Sequence, residues 1–194
     1  MTISPQPPNL VPVDEKDTTR RLVEPHLTFV KVGFGYSLMI LIKPGFETDG
    51  ASVPEKIFSD EEYKADMIET VEVEYEDVAT RWDLENLIKY LIGNRWDMPR
   101  LLAAIAHDCL YGRKWMWRWV CDRIYRMILG DNNYDRRRIE IEYAAIRLAG
   151  WRNWNSVTNE EQKKVEAHSE VEFIRTKNIE KEIEKLKGST SVWG

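Results

Sequence analysis

The sequence lacks long apolar runs and is poor in cysteine. No stretch of its 194 residues approaches the roughly 20 consecutive apolar residues that cross a bilayer, so we expect no transmembrane segment. Its first residues lack a basic segment followed by an apolar stretch, so we also expect no secretory signal. The two cysteines, Cys109 and Cys121, are too few for a disulfide framework in a chain of this length, which favours a reducing compartment.

Charge is unevenly distributed along the chain. The formal net charge of −5 argues against general nucleic-acid binding, and we expect no specific nucleic-acid partner. Residues 60–77 are strongly acidic, whereas residues 113–126 are mostly basic and aromatic, and three arginines follow at 136–138. This polarity predicts a protein that docks another molecule, or its own acidic segment.

The patterning predicts a mainly α protein with a small antiparallel β-element, that is, an α+β fold. Apolar and polar residues alternate over residues 28–42, which predicts one or two strands with a turn near residues 33–35. Residues 97–112 begin with a helix-capping residue followed by proline and end in glycine, which is typical of a helix. Two further helices are expected at about 114–129 and 134–150, and the first of these should pair antiparallel with the helix at 97–112.

We expect a core flanked by extensions. Prolines indicate an N-terminal arm, and a capping box formed by Thr158 and Glu161 predicts the start of a long charged helix. An acidic insert, with a short strand (VEVEY) and a short helix (WDLENLIKYLIG), interrupts the core. The predicted bounds are 1–25 for the arm, 26–157 for the core, about 58–95 for the insert, 97–155 for the helical core, 158–187 for the charged helix and 188–194 for the tail.

The stretch AIAHDCLYG combines an apolar helix with a base and an acid at its end. A helix turns by 100° per residue, so His107 and Tyr111 share a face and Asp108 lies beside it. Asp122 lies about as far into the next helix as His107 lies before the turn. In an antiparallel pair, Asp122 can therefore accept a hydrogen bond from His107 and fix its tautomer.

A further acid stands in the segment TDGASVP, where Asp49 precedes Gly50 in a tight loop. Such a loop presents a carboxylate together with backbone carbonyls, and Asp108 would supply a second carboxylate. These are the hard oxygen ligands that Ca²⁺ takes, so Asp49, Gly50 and Asp108 form a predicted calcium site. The cation would polarise an ester carbonyl while His107 deprotonates a water, and no serine or cysteine nucleophile would be required.

The ordered motifs TDGASVP, AHDCLY, CDRIY and AIRLAGW resemble those of a bacteriophage protein family of unknown function. That family carries TDGAS-x-P followed by HD-x-LY, and the resemblance covers roughly residues 26–58 and 97–155. It implies a phage-encoded protein found in the host cytoplasm during infection and, on one interpretation, in the virion. Other phage structural proteins are then its expected partners.

The HD-x-x-Y helix followed by an aspartate on the next helix is similar to the pattern of secreted phospholipase A2, and the upstream loop resembles that of its bacterial and fungal branch. This resemblance implies that His107 is the general base, that Asp108 and Asp49 bind calcium and that Asp122 orients the histidine. It makes Tyr111 a supporting hydrogen-bond donor. The chain departs from that pattern at Ala51, where the enzymes have cysteine, and it lacks their disulfides.

Other interpretations of these residues stay open. A His-Asp pair at a helix end is often structural, with the histidine satisfied in the core. Zinc is disfavoured because Cys109 lies two residues from His107, nearly on the opposite helix face, and the chain has only three histidines. The same shortage argues against an HD-type phosphohydrolase, which needs further metal-binding histidines.

Two regions are candidate interaction surfaces. Trp115, Trp117 and Trp119 cannot share one helix face, so some should be buried and at least one exposed. With the interleaved basic residues they could contact phospholipid headgroups or a membrane surface, although packing against a protein subunit or the acidic insert is favoured. The charged helix at 158–187 is expected to be a solvated arm or an oligomerisation helix.

The sequence thus supports two hypotheses from different classes. The first is a calcium-dependent ester hydrolase of the phospholipase A2 type. The second is a non-catalytic virion, tail or assembly protein in which the His-Asp network is structural.

Overall fold

The structure is a computed structural model that describes residues 2–3, 7–13, 19–50, 96 and 98–189. The acidic insert predicted at 58–95, with its short strand and helix, lies outside the described residues. So do the predicted cap Asp97 and most of the tail at 188–194.

The described residues form strands in the N-terminal part, helices in the middle, and both at the C-terminal end. In the described part of the chain, no helix is long and apolar enough to cross a membrane. The strands are β1 (Thr2–Ile3), β2 (Leu10–Pro12), β3 (Arg20–Leu22), β4 (His26–Gly33), β5 (Tyr36–Ile42), β6 (Glu47–Thr48) and β7 (Ser169–Arg175). The α-helices are α1 (Met98–Gly112), α2 (Arg118–Asp131), α3 (Arg136–Ser156), α4 (Asn159–Ala167) and α5 (Ile179–Ser189), and a 3₁₀ turn occupies Thr176–Asn178.

The strands form two antiparallel sheets, with the orders β1-β4-β5-β7 and β2-β3-β6. Together with the helices they confirm the predicted α+β class. The β4–β5 hairpin carries apolar residues on both faces because each face is covered. One face contributes Val30, Leu38, Ile40 and Ile42 to the core formed with α1 and α2. The opposite face packs against Ile179 at the start of α5, with Leu27, Phe29, Met39 and Leu41.

The prediction of one charged helix over 158–187 is wrong. The capping box of Thr158 and Glu161 is confirmed, but α4 ends at Ala167. Ser169–Arg175 then pairs along the whole of β5, from Ile42↔Ser169 to Tyr36↔Arg175. Strand alternation sends Val171 to the helical core and Ile174 to the opposite cluster, which one straight helix could not do. Long-range pairing therefore overrides the local helix preference.

Two helix boundaries also differ from the prediction. α2 begins at Arg118 rather than near residue 114, and Lys114 has a positive φ of 46° in the preceding turn. α3 continues past Gly150 to Ser156. A Cβ on Gly150 would lie 2.6 Å from the Tyr111 hydroxyl, so this glycine permits close approach of α1 instead of ending the helix.

A buried histidine at the start of β4 predicts acid sensitivity. His26 is 1% exposed; its Nε2 lies 3.1 Å from Thr28 Oγ1, and no described residue hydrogen-bonds to Nδ1. Burial lowers the pKa of His26 from 6.5 to about 4. In the unfolded chain His26 therefore binds a proton near pH 6.5, whereas in the folded chain it binds one only near pH 4. Acidification through this window should lower the free energy of unfolding by about 3 kcal/mol.

Urea unfolding at a series of pH values measures this loss. The His26→Gln variant has no imidazole, so the corresponding pH dependence should disappear whatever its stability at neutral pH. Equal slopes of stability against pH in the two proteins would show that His26 is not responsible.

Candidate functional site

A partly enclosed cavity of about 370 Å³ lies between α1, α3, α4 and the loop that follows β6. Five of the six predicted site residues line it: His107, Asp108 and Tyr111 from α1, and Asp49 and Gly50 from the loop. The sixth, Asp122, lies behind His107 on α2 and is fully buried. The structure therefore brings together two segments that are separated by more than fifty residues in the sequence.

The imidazole of His107 is held from one side. Its Nε2 lies 3.1 Å from Asp122 Oδ1, and since a carboxylate only accepts, Nε2 carries the proton. In the described part of the chain no group hydrogen-bonds to Nδ1, which is left with its lone pair. The ring contacts Tyr111 and Tyr125, at centroid distances of 4.0 and 5.4 Å. These contacts fix the orientation of a ring that borders the cavity.

Asp122 is held as a carboxylate by several donors. Tyr111 donates its hydroxyl hydrogen to Asp122 Oδ1, and Arg147 Nη1 lies 2.6 Å from Oδ2. Arg118 Nη1 is 3.5 Å from the same oxygen. Burial by itself raises the pKa of Asp122, but hydrogen bonds from His107, Tyr111 and Arg147 outweigh it and lower the pKa below its ordinary value. Asp122 can therefore orient a neutral imidazole and stabilise a protonated one.

The second pair of acids joins the loop to α1. Thr48 donates a hydrogen bond to Asp108 Oδ2 at 2.6 Å, and its own oxygen accepts from the Gly50 N–H at 3.0 Å. Burial, and then the nearby Asp49 carboxylate, raise the pKa of Asp108 well above its ordinary value, while the Thr48 bond acts in the other direction. No cationic side chain of the described residues pairs with Asp108. Burial and the Asp49 charge thus favour the neutral form of Asp108, and a bound cation would favour its charged form instead.

The donor set fits a hard cation in its chemistry. Asp49 and Asp108 offer carboxylate oxygens, and the loop that carries Gly50 offers backbone carbonyls, both of which suit Ca²⁺. Within the described ranges, no three His, Cys, Asp or Glu side chains lie close enough together to hold a metal ion by themselves. The rest of a calcium shell would therefore come from carbonyl, water or substrate oxygens.

Helix α4 forms a wall of the cavity that the sequence did not predict. Lys164 Nζ lies 2.9 Å from Glu47 Oε2, and His168 Nδ1 lies 2.9 Å from the Pro44 carbonyl oxygen. The Lys43 N–H also donates to the His168 carbonyl at 2.8 Å. These contacts brace the loop that leads to Asp49 by hydrogen bonds and an ion pair.

Sequence reasoning missed two residues that complete the site, Thr48 and Arg147. Both stand inside the motifs already singled out, TDGASVP and AIRLAGW. An arginine within an apolar helical stretch was the available signal for Arg147. Its partner Asp122 is 25 residues away, so only the packing of α3 on α2 identifies the contact.

The three tryptophans have mixed exposure, as predicted, although Trp115 and Trp117 precede α2 and so do not stand on a helix face. Trp115 packs against the core and lies 5.3 Å from the Phe173 ring. Trp117 is 72% and Trp119 46% exposed. The partner of this surface stays a prediction.

Comparisons of the chain with protein-family models, with curated proteins and with solved structures found no match.

Proposed function

We propose that this chain is a phage-encoded, calcium-dependent ester hydrolase of the phospholipase A2 type. The observation that supports it best is the oriented imidazole of His107 beside two neighbouring carboxylates, Asp49 and Asp108, in one cavity. The antiparallel helix pair α1–α2 would supply the base and its partner, and the loop after β6 would supply the second acid. The resemblance of the motifs implies the same division of roles.

His107 would act as the general base. Nδ1 takes a proton from a water, and the resulting hydroxide attacks the ester carbonyl carbon. Asp122 then faces an imidazolium, whose charge it stabilises through the Nε2 hydrogen bond. When the tetrahedral intermediate collapses, Nδ1 returns the proton to the departing alkoxide, so the products are an acid and an alcohol.

Asp49 and Asp108 would hold the cation. When bound there, Ca²⁺ supplies positive charge that polarises the ester carbonyl and stabilises the oxyanion. Thr48 fixes one oxygen of Asp108, so the other remains for the ion. Apolar side chains elsewhere in the cavity, including Phe46, Ile146 and Val165, would receive the apolar part of the ester.

Calcium dependence of phospholipid hydrolysis tests this proposal. We expect fatty-acid release by the wild type in calcium and background release in chelator. Asp108→Asn and Asp49→Asn should each require more calcium and turn over more slowly, because each removes a charged ligand. Glu170→Gln, an exposed carboxylate on β7, is the matched control and should behave as wild type. Turnover that is indifferent to calcium and to both aspartates would exclude the proposed site.

A structural role is the second candidate, and the contacts of Asp122 favour it. His107, Tyr111, Arg118 and Arg147 all surround this buried carboxylate and tie α1, α2 and α3 together. A virion, tail or assembly protein could retain such a network for stability alone, with other phage structural proteins or further copies of this chain as partners. In that case His107 variants would change the melting temperature and no hydrolysis would be detected.

A further inference from the structure

The tip of the β4–β5 hairpin carries an aromatic side chain that is exposed to solvent. Phe34 is fully exposed, with a relative accessibility of 101%. Val32, at the register shift between Lys31 and Gly33, is 40% exposed. Exposed apolar residues scattered singly need no explanation, but this bulky ring is fully exposed at a hairpin turn and packs on none of the described residues.

The backbone at this tip is also unfavourable for phenylalanine. Gly33 and Tyr36 pair across a two-residue turn in which Phe34 has φ 51° and Gly35 φ 75°. Turns of this kind favour asparagine or glycine at the first position, because a bulky side chain is strained at positive φ. Phe34 therefore adds both strain and exposed apolar surface to the free protein. A function outside the chain would account for this combination.

The charges around the hairpin tip favour an anionic binding partner. Residues 25–46 contain no aspartate or glutamate. Lys31 is exposed on β4, and exposed Arg175 stacks on Tyr36 at 4.3 Å from its ring centroid. Thr176 donates its N–H to the Gly35 carbonyl at 2.8 Å, so the exposed Lys177 follows directly beside the tip.

The acidic residues of the paired strands lie farther away. Glu170 and Glu172 of β7 stand opposite Leu41 and Met39, towards the other end of the sheet. Glu180 and Glu182 stand in the first turn of α5, whose Ile179 packs with Leu27 and Leu41, away from the turn. The hairpin end thus combines an exposed aromatic ring with Lys31, Arg175 and Lys177, and β4 and β5 supply no opposing acid.

We propose that the hairpin tip binds the surface of an anionic lipid bilayer, with Phe34 entering the interface and Lys31, Arg175 and Lys177 contacting headgroups. A protruding ring with a basic surround matches a bilayer surface, whose interface accepts aromatic side chains and whose anionic headgroups attract cations. This docking is independent of ester hydrolysis and of the cavity residues.

Vesicle co-sedimentation of the full chain tests this proposal. The vesicles consist of ether-linked phosphatidylcholine, with or without ether-linked phosphatidylglycerol, so they offer no ester to hydrolyse. We expect binding only when phosphatidylglycerol is present. Phe34→Asn should bind about tenfold more weakly and Lys31→Gln about fivefold more weakly. Because asparagine suits the turn, Phe34→Asn should melt at the same temperature as the wild type or higher.

One control variant completes the experiment. Trp117→Asn removes an exposed ring elsewhere and should bind as the wild type does. If Trp117→Asn loses binding while Phe34→Asn retains it, the tryptophan surface is the contact and the proposal is wrong. It is also wrong if Phe34→Asn lowers the melting temperature and leaves binding unchanged, or if sedimentation shows that Phe34 mediates a dimer that binds no vesicles.

Discussion

Replacing His107 with glutamine is expected to lower the turnover of ester hydrolysis by about 10²–10⁴-fold, the usual contribution of a general base. Glutamine can still donate an N–H to Asp122 from the position of Nε2, so the buried carboxylate keeps a donor. It has no basic nitrogen in the position of Nδ1 and cannot take a proton from water. The loss should therefore appear in kcat, with KM little changed.

The variant is compared with the wild type by fatty-acid release at saturating calcium. Circular dichroism and a thermal melt on the same samples establish that both proteins are folded. Asp122→Asn is the companion variant: it removes the charge that stabilises imidazolium and should also lower kcat, by less than the loss of the base itself. A folded His107→Gln protein with wild-type turnover would remove His107 from the mechanism.

Replacing Arg100 with methionine should destabilise the fold by about 3–5 kcal/mol, the usual cost of leaving a buried charge unpaired. Arg100 is fully buried on α1, and its Nε lies 3.1 Å from the Glu142 carboxylate of α3. Tyr125 of α2 donates its hydroxyl hydrogen to the same carboxylate at 2.6 Å. Three helices thus meet at one buried ion pair, and methionine leaves the Glu142 charge without its cation.

Chemical denaturation measures this loss in the free energy of unfolding. Two further variants show whether it comes from the buried ion pair. Arg100→Met combined with Glu142→Gln should recover much of the stability, because the remaining amide oxygen still accepts from Tyr125. Arg126→Met breaks the 2.5 Å pair with Glu140, in which the arginine side chain is 41% exposed and keeps its contact with water, and should cost about 1 kcal/mol. Similar losses for Arg100→Met and Arg126→Met would contradict the account of a buried pair that supports the core.

The parts of the fold that were predictable are those decided locally. The hairpin at residues 28–42 follows from period-two alternation and a glycine-rich turn, and α1 follows from an apolar stretch that ends at Gly112. Strand β7 was not predictable in this way, because its sequence is highly charged and its stabilisation comes from pairing with β5 across more than a hundred residues. The predicted end of α3 at Gly150 was wrong for a related reason. This glycine is required by the close approach of Tyr111 from α1 and does not end its own helix.

In the candidate site, too, the contacts decided by local geometry were predictable and those decided by tertiary packing were not. Helical geometry and a short connection predicted the meeting of His107 with Asp122, and the structure has it at hydrogen-bond distance. Thr48 and Arg147 depend on how the loop and α3 dock on α1 and α2, and a single sequence carries no measure of that docking. The spacing of motifs identified the acids, while tertiary packing decides which hydrogen bonds hold them.

Calorimetric titration of calcium into the wild type and into the Asp49→Asn, Asp108→Asn double variant tests the central claim most directly. The claim is that the loop acid and the helix-end acid share one cation beside the oriented imidazole. We predict a single saturable site in the wild type and none in the double variant, with both proteins folded. No calcium binding by the wild type, or equal binding by the double variant, would contradict it.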